Sequence, residues 1–275
     1  MTCPVCGHAS KFESGFSDVI IYRCSGCSHC FSDEARITNL ELYQEDYYEE
    51  KHKNWFNTPN MYLFKNIYKV LDQYKSVNSV LDVGCGKGHF LKYVYLKNPN
   101  IELVGIDKGQ ASNSNNVEII DCDIFEYEPM RKFDAVVSLA VIEHVADPNM
   151  FIQKLKSLCN KHGIIVIMTV NENSIVFAIS KIMNKMALTY PFERLYDRHH
   201  LNHFTDKSLA KLLEKNELHV IKTIKHGVPW KSVDFENKTL ISYVLFKVGL
   251  CACFIISSLT GKYHLQTIIC QNSST

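Results

Sequence analysis

Residues 80–91 read Val-Leu-Asp-Val-Gly-Cys-Gly-Lys-Gly-His-Phe-Leu. An apolar run ends in an acid, passes three alternating glycines and enters a helical pattern, which is a strand, a tight turn and a helix. Glycine places no side chain between the turn backbone and a ligand. The dinucleotide spacing G-x-G-x-x-G needs its third glycine at position 89, where His89 stands. Asp82, beside the turn, suits a cation better than a pyrophosphate. A sulfonium ligand such as S-adenosylmethionine meets both conditions.

The chain after this turn alternates strand and helix signals. Strands are expected at Val80–Val83, Ile101–Ile106, Val117–Ile120, Phe133–Leu139, Ile164–Val170, His219–Lys225 and His264–Cys270. Phe90, Leu91 and Val94 form the apolar stripe of the first intervening helix. Asp147-Pro148 starts another as cap and first helical residue, with Phe151, Leu155 and Leu158 buried and Gly163 at its end. Thr205 caps a helix through Leu209, Leu212 and Leu213. The fold class is α/β, an open and mostly parallel sheet with helices on both faces. Ligands in such sheets bind at the carboxyl ends of the strands. Asp107, nineteen residues after Gly88, ends the second strand and can accept both ribose hydroxyls. Asp123, after the third, can accept from an adenine amino group, with Ile124 against the ring.

A separate module opens the chain. Cys3-x2-Cys6 is followed, seventeen residues on, by Cys24-x2-Cys27. That spacing gathers four thiolates around one tetrahedral ion, usually Zn²⁺. So small a module has little core of its own, and the metal would hold it together. A closed four-thiolate shell has no open position, so its role is structural. His8, His29 and Cys30 are read as bystanders. The alternative, a redox dithiol, would place one C-x-x-C beside a βαβ unit.

Eleven cysteines, and a start that does not read as a targeting peptide, point to a reduced, cytoplasmic protein. Formal net charge is only +1. The first fifty residues carry three basic and nine acidic residues, whereas residues 151–275 carry sixteen basic and eight acidic. The basic part suits an anionic substrate or a membrane surface, unless its lysines are simply solvated helix faces. The first thirty residues hold only Lys11 and Arg23, too few positive charges for a strong grip on phosphates, so a nucleic-acid partner is disfavoured.

The organisation expected is a ribbon over 1–32, a linker and helix over 33–76, and a ligand-binding domain over 77–275. That domain carries a cap at 172–204 and an apolar insertion at 231–262. In the linker, Met61, Phe64, Ile67, Tyr68 and Leu71 recur at helical spacing. Tyr47 or Tyr48 is a candidate cover for the ligand, with a helix–core contact as the alternative. In the cap, Ile175, Ile179, Ile182, Met183 and Met186 share a helical face, and Arg194, Arg198, His199 and His200 could hold an anionic group. Leu240–Leu259 is strongly apolar, interrupted by Lys247 and Gly249. Its place between two sheet strands argues for a buried or self-associating helix, with peripheral membrane attachment as the alternative and spanning least favoured.

These motifs resemble the class I S-adenosylmethionine-dependent methyltransferases. The matching pieces are the glycine turn, Val104-Gly-Ile-Asp107, Phe133-Asp-Ala-Val-Val137, Val141-Ile-Glu-His-Val-Ala-Asp-Pro148 and His200-Leu-Asn-His-Phe-Thr205. One departure is Thr169-Val-Asn171, where the family usually has Thr-Pro-Asn. The ribbon resembles the N-terminal module of sugar methyltransferases of deoxysugar and surface-polysaccharide pathways, and of a guanine-modifying ribosomal RNA methyltransferase. The resemblance implies a Rossmann-like seven-stranded sheet of order 3-2-1-4-5-7-6, with its last strand pair antiparallel. It also implies a cofactor site over Asp82, Gly84, Cys85, Gly86, Gly88, Asp107, Lys108, Asp123, Ile124 and Ser138.

A sulfonium methyl is already activated, so the protein mainly aligns the acceptor and takes its proton. His144, after the fourth strand, is the first candidate base and His200 the second. Glu143 is expected to fix local structure. The leading expectation is methylation of a small-molecule acceptor, a sugar or glycan precursor, anionic or lipid-linked. The alternatives are a ribosomal RNA methyltransferase and a non-enzymatic binding module.

Overall fold

The computed structural model describes residues 1–17, 19–32, 57–74, 77–109, 112–114, 117–233 and 240–273. Tyr47 and Tyr48, the candidate covers, lie outside the described residues.

The main sheet is built on β4 (Ser79–Val83), β5 (Glu102–Asp107), β7 (Val117–Asp121), β8 (Phe133–Leu139), β9 (Cys159–Val170), β11 (Leu218–His226) and β12 (Leu265–Asn272). Their order across the sheet is β7-β5-β4-β8-β9-β12-β11, which is the expected 3-2-1-4-5-7-6. A short edge strand, β6 (Ser112–Ser114), pairs antiparallel outside β7. The pairs from β7 to β9 are parallel, and β12 runs antiparallel to both β9 and β11.

Successive side chains leave a strand on opposite faces, and the two faces carry two cores. In β4, Val80 packs into one core and Leu81 and Val83 into the other. The first is closed by α1 (Met61–Gln73) and α2 (His89–Lys97), through Leu63, Phe64, Ile67, Phe90 and Val94. Met61, expected in the buried stripe of α1, is 53% exposed; the stripe starts at Leu63. The second core is closed by α3 (Pro148–Leu158) and α6 (Asp206–Lys215), through Phe151, Leu155, Leu209 and Leu212.

The caps read from the sequence are in place. Asp147 accepts from the backbone N–H groups of Asn149 and Met150, with Pro148 in the first turn. Thr205 and Ser208 exchange the two bonds of a capping box. Gly163 does not end α3. The helix stops at Leu158, and Gly163 lies inside β9, where the register against β8 shifts. A Cβ at Gly163 would stand 2.8 Å from the Asp134 carbonyl, so the glycine serves close backbone approach within the sheet.

The N-terminal module forms β1 (Ser10–Phe16), β2 (Val19–Cys24) and β3 (Cys30–Ser32). It is not a bead on a string. β3 pairs antiparallel with β10 (Asn202–His203), at the end of the segment 172–204, so one four-stranded sheet joins the chain's start to its last third.

The segment expected as a cap holds two helices. α4 (Ile175–Lys185) and α5 (Tyr190–Leu195) are separated by a turn with Ala187 at φ 63°. Phe177 and Ser180 are the buried residues of α4, while Ile182 and the C-cap Met186, expected to share a helical face with Ile175, Ile179 and Met183, are 59% and 67% exposed. The apolar segment is one helix, α7 (Leu240–Thr260).

Candidate active site

The carboxyl ends of β4, β5, β7, β8 and β9 converge on one cavity of about 860 Å³. Its floor begins at the glycine turn. Gly84 and Gly88 have φ of 70° and 67°, where side chains are strained. A Cβ on Gly84 would collide with Val141, and one on Gly88 would stand 2.9 Å from Ile119. The Gly86 N–H donates to Asp107 Oδ2 at 2.7 Å, which locks the turn to the end of β5. Burial raises the Asp107 carboxyl above its ordinary value.

The next wall follows β7. Asp123 Oδ1 accepts from the Phe125 N–H at 2.9 Å, and Lys108 Nζ lies 3.8 Å from Asp123 Oδ2. Ile124 and Phe125 line the cavity beside them. The turn after β8 forms the facing side. Ala140 holds a φ of 60°, an uncommon conformation for a residue with a side chain, and lines the cavity with Val141.

Glu143, His144 and His200 meet there, with ligand atoms all within 4.8 Å of one another. Glu143 is buried and its carboxyl is pushed up to about 7 by that burial. His144 Nδ1 lies 2.9 Å from the His199 carbonyl oxygen. A carbonyl only accepts, so the neutral ring carries its proton on Nδ1 and its lone pair on Nε2. The His144 and His200 ring centres are 4.7 Å apart.

Of the residues expected around the cofactor, Gly84, Gly86, Asp107, Lys108, Asp123 and Ile124 line the cavity, as do His144 and His200. Asp82, Cys85, Gly88 and Ser138 are not among its lining residues. Asp82 is sealed behind the turn at 2% exposure. Its Oδ1, like Ser138 Oγ, has no hydrogen-bond partner among the described residues. Burial, with Asp107 nearby, holds the Asp82 carboxyl well above the usual range. Glu143 has a closer relation to the cavity than the sequence reading assigned. The signal was present as its place beside His144.

The four cysteines form a second cluster. Cys3 and Cys27 Sγ are 3.7 Å apart, Cys6 and Cys24 Sγ 3.4 Å, and all four lie within 4.8 Å of one another. The three neighbouring candidates stand apart from it. His8 Nδ1 is 3.3 Å from the Cys6 carbonyl oxygen, His29 Nε2 donates to Asn202 Oδ1 at 3.0 Å, and Cys30 faces Glu172. None of the four cysteines lines the cavity.

A buried polar network fixes this module to the cap. Glu172, 1% exposed at its side chain, accepts from Arg23 at 2.7 Å and from the Tyr196 hydroxyl at 2.8 Å, and pairs with Lys181. Burial alone would raise its carboxyl, but Arg23 and Lys181 hold it below the ordinary value.

A family model described as a methyltransferase domain matches residues 58–223. The chain belongs to this methyltransferase-domain family. A ubiquinone biosynthesis O-methyltransferase of Bradyrhizobium diazoefficiens is 29% identical over 174 residues, 59% of this chain and 65% of that protein. A probable (S)-tetrahydroprotoberberine N-methyltransferase of Papaver bracteatum is 29% identical over 96 residues, 31% of this chain and 27% of that one. The chain therefore spans less than two thirds of the length of these relatives. Its fold is similar to a SAM-dependent methyltransferase from Archaeoglobus fulgidus, with TM-score 0.50 and 19% identity over 83% of this chain and all of the other.

Proposed function

We propose that this methyltransferase-domain protein transfers a methyl group from S-adenosylmethionine to a small-molecule acceptor. The observation that carries the reading is the Gly84–Gly86 turn bonded to the Asp107 carboxylate at one end of a cavity that holds Glu143, His144 and His200 at the other.

The residues fit that cofactor. Asp107 would take the ribose hydroxyls, Asp123 the adenine amino group, and Ile124 with Phe125 the ring face. Asp82 and Ser138, with unpartnered buried oxygens behind the turn, would act on its position. When bound, the cofactor supplies a methyl already activated by a positive sulfur. The protein's share is alignment and proton transfer. His144 Nε2, which carries the lone pair, accepts the acceptor's proton; His200 is the second candidate for that role. The ring is kept in this tautomer by the His199 carbonyl. Glu143, held by Thr169, positions the turn that bears His144.

Cys3, Cys6, Cys24 and Cys27 would hold a structural Zn²⁺, since four thiolates complete a tetrahedral shell. An RNA acceptor is disfavoured, because Arg23, one of only two basic residues in the first thirty, is held by Glu13 and Glu172. The sugar or glycan precursor expected as acceptor rests on the resemblance of the ribbon to the N-terminal module of sugar methyltransferases. Tritiated-methyl transfer screened over nucleotide sugars, glycolipids and RNA tests the reading. Label in a small molecule supports it, and label in RNA alone contradicts it.

A further inference from the structure

The cavity extends beyond Glu143 and His144 along a wall that methyl transfer leaves unused. Phe177 of α4, Val228 after β11, and Phe246, Leu250 and Phe254 of α7 line it. This wall is apolar, and α7 is apolar on its other side too. At 3.6 residues per turn, positions 246, 250, 253 and 257 fall on one side of α7, toward the cavity. Val244, Val248, Ile255 and Leu259 fall on the opposite side, at 51%, 62%, 56% and 81% exposure. An apolar side left exposed in this way marks an interaction surface. α4, which packs beside α7, adds exposed Ile182 and, at its C-cap, Met186.

The helices' own charges have one sign, although Glu13 and Glu172 face Lys181. Neither helix contains an acidic residue, while α4 carries Lys181 and Lys185 and α7 carries Lys247. Lys181 is engaged by Glu172. Lys247 Nζ lies 5.1 Å from the Trp230 ring centre and 5.5 Å from that of Tyr243, and both rings are partly exposed. Aromatic rings and a lysine beside an apolar helix suit the headgroup boundary of a bilayer. No helix among the described residues is long and apolar enough to cross a membrane, so the contact would be peripheral.

We propose that α4 and α7 rest on an anionic lipid surface and that the methyl acceptor is an amphiphile drawn from it. Its polar nucleophile reaches His144 and its chain lies along Phe246, Leu250 and Phe254. This rests on the methyltransferase reading and adds the class of acceptor. The basic, acid-free helix pair selects anionic over neutral lipid.

Flotation of the full chain with phosphatidylcholine vesicles, and with phosphatidylcholine–phosphatidylglycerol vesicles, tests the surface. Bound protein should be about tenfold greater on the anionic vesicles and fall with salt. Val248→Glu combined with Ile255→Glu should abolish flotation. Calorimetric titration of the same samples with S-adenosylmethionine shows that the variant is folded. The chain channel is probed with 11-(dansylamino)undecanoic acid, whose fluorescence should rise with wild type and much less with Leu250→Asp. A wild type that binds the cofactor but neither floats nor binds the probe overturns this inference alone. Flotation unchanged in the double variant, or equal probe binding by Leu250→Asp, also overturns it. Failure to bind the cofactor overturns the methyltransferase reading instead.

Discussion

Thr169 Oγ1 donates to Glu143 Oε2 at 2.8 Å, and the bond ties the end of β9 to the turn after β8. Both residues are buried. The bond sits beside Val170, where this chain departs from the usual Thr-Pro-Asn. The Asn171 side chain donates to the Tyr263 carbonyl and accepts from the Asn173 N–H, both at 3.1 Å, so the loop is anchored by hydrogen bonds at the asparagine.

Glu143 makes stability depend on pH. Its folded pKa, about 7, lies above the unfolded value of about 4.3, so its contribution is present below pH ~4.3 and is lost as pH rises through 7. Glu143→Gln removes that loss. The stability of the variant relative to wild type, from urea midpoints, should rise between pH 4.5 and pH 8 by on the order of 2–3 kcal/mol. A flat difference would show that Glu143 is not buried as a carboxyl.

His144→Ala should lower turnover by about 10²–10⁴-fold if the ring removes the acceptor's proton. Cofactor affinity should stay within about twofold, because the Asp107 side of the cavity is untouched. Single-turnover kinetics beside a binding titration separates the two effects. Unchanged turnover would remove the assignment.

Cys24→Ser should lose the bound metal. Elemental analysis is expected to give one zinc per chain in wild type and well below one in the variant. The loss should also raise hydrogen exchange in β3 and β10, which are paired. Metal content equal in both proteins would contradict a four-thiolate site.

Arg23→Met leaves Glu172 buried with half its compensation. Removing one partner of a buried ion pair costs about 3–5 kcal/mol. Lys181 remains, so a loss near the lower end of that range is expected, read from the denaturant midpoint. A change under ~0.5 kcal/mol would mean that Arg23 does not hold the ribbon to the cap.

The strand positions, the glycine turn and the caps at Asp147 and Thr205 were legible because each depends on local pattern, whereas the strand order came only with the resemblance to the methyltransferases. A short, mostly apolar run such as Phe133–Leu139, broken only by Asp134 and Ser138, reads as a strand buried on both faces, and an acid at a strand's end lies at the ligand crevice by topology. What the sequence hid is long-range. Nothing local to Asn202-His203 marks it as the partner of β3, because that pairing crosses more than 160 residues of chain. The two faces of α7 are both apolar, so periodicity could not tell its cavity side from its outer side. Gly163 read as a helix stop because glycine is common there, whereas the sheet uses it to let β9 approach the Asp134 carbonyl. Glu143 looked structural beside a histidine, and its burial and its contact with Thr169 exist only in the folded chain.

The central claim is that the Asp107 end of the cavity binds S-adenosylmethionine. Isothermal titration of wild type and Asp107→Ala with that cofactor tests it most directly. The account predicts one site per chain in wild type and at least about a 100-fold weaker Kd in the variant, the loss expected when a charged hydrogen-bond acceptor is removed. No saturable heat with wild type, or equal affinity in the two proteins, would contradict it.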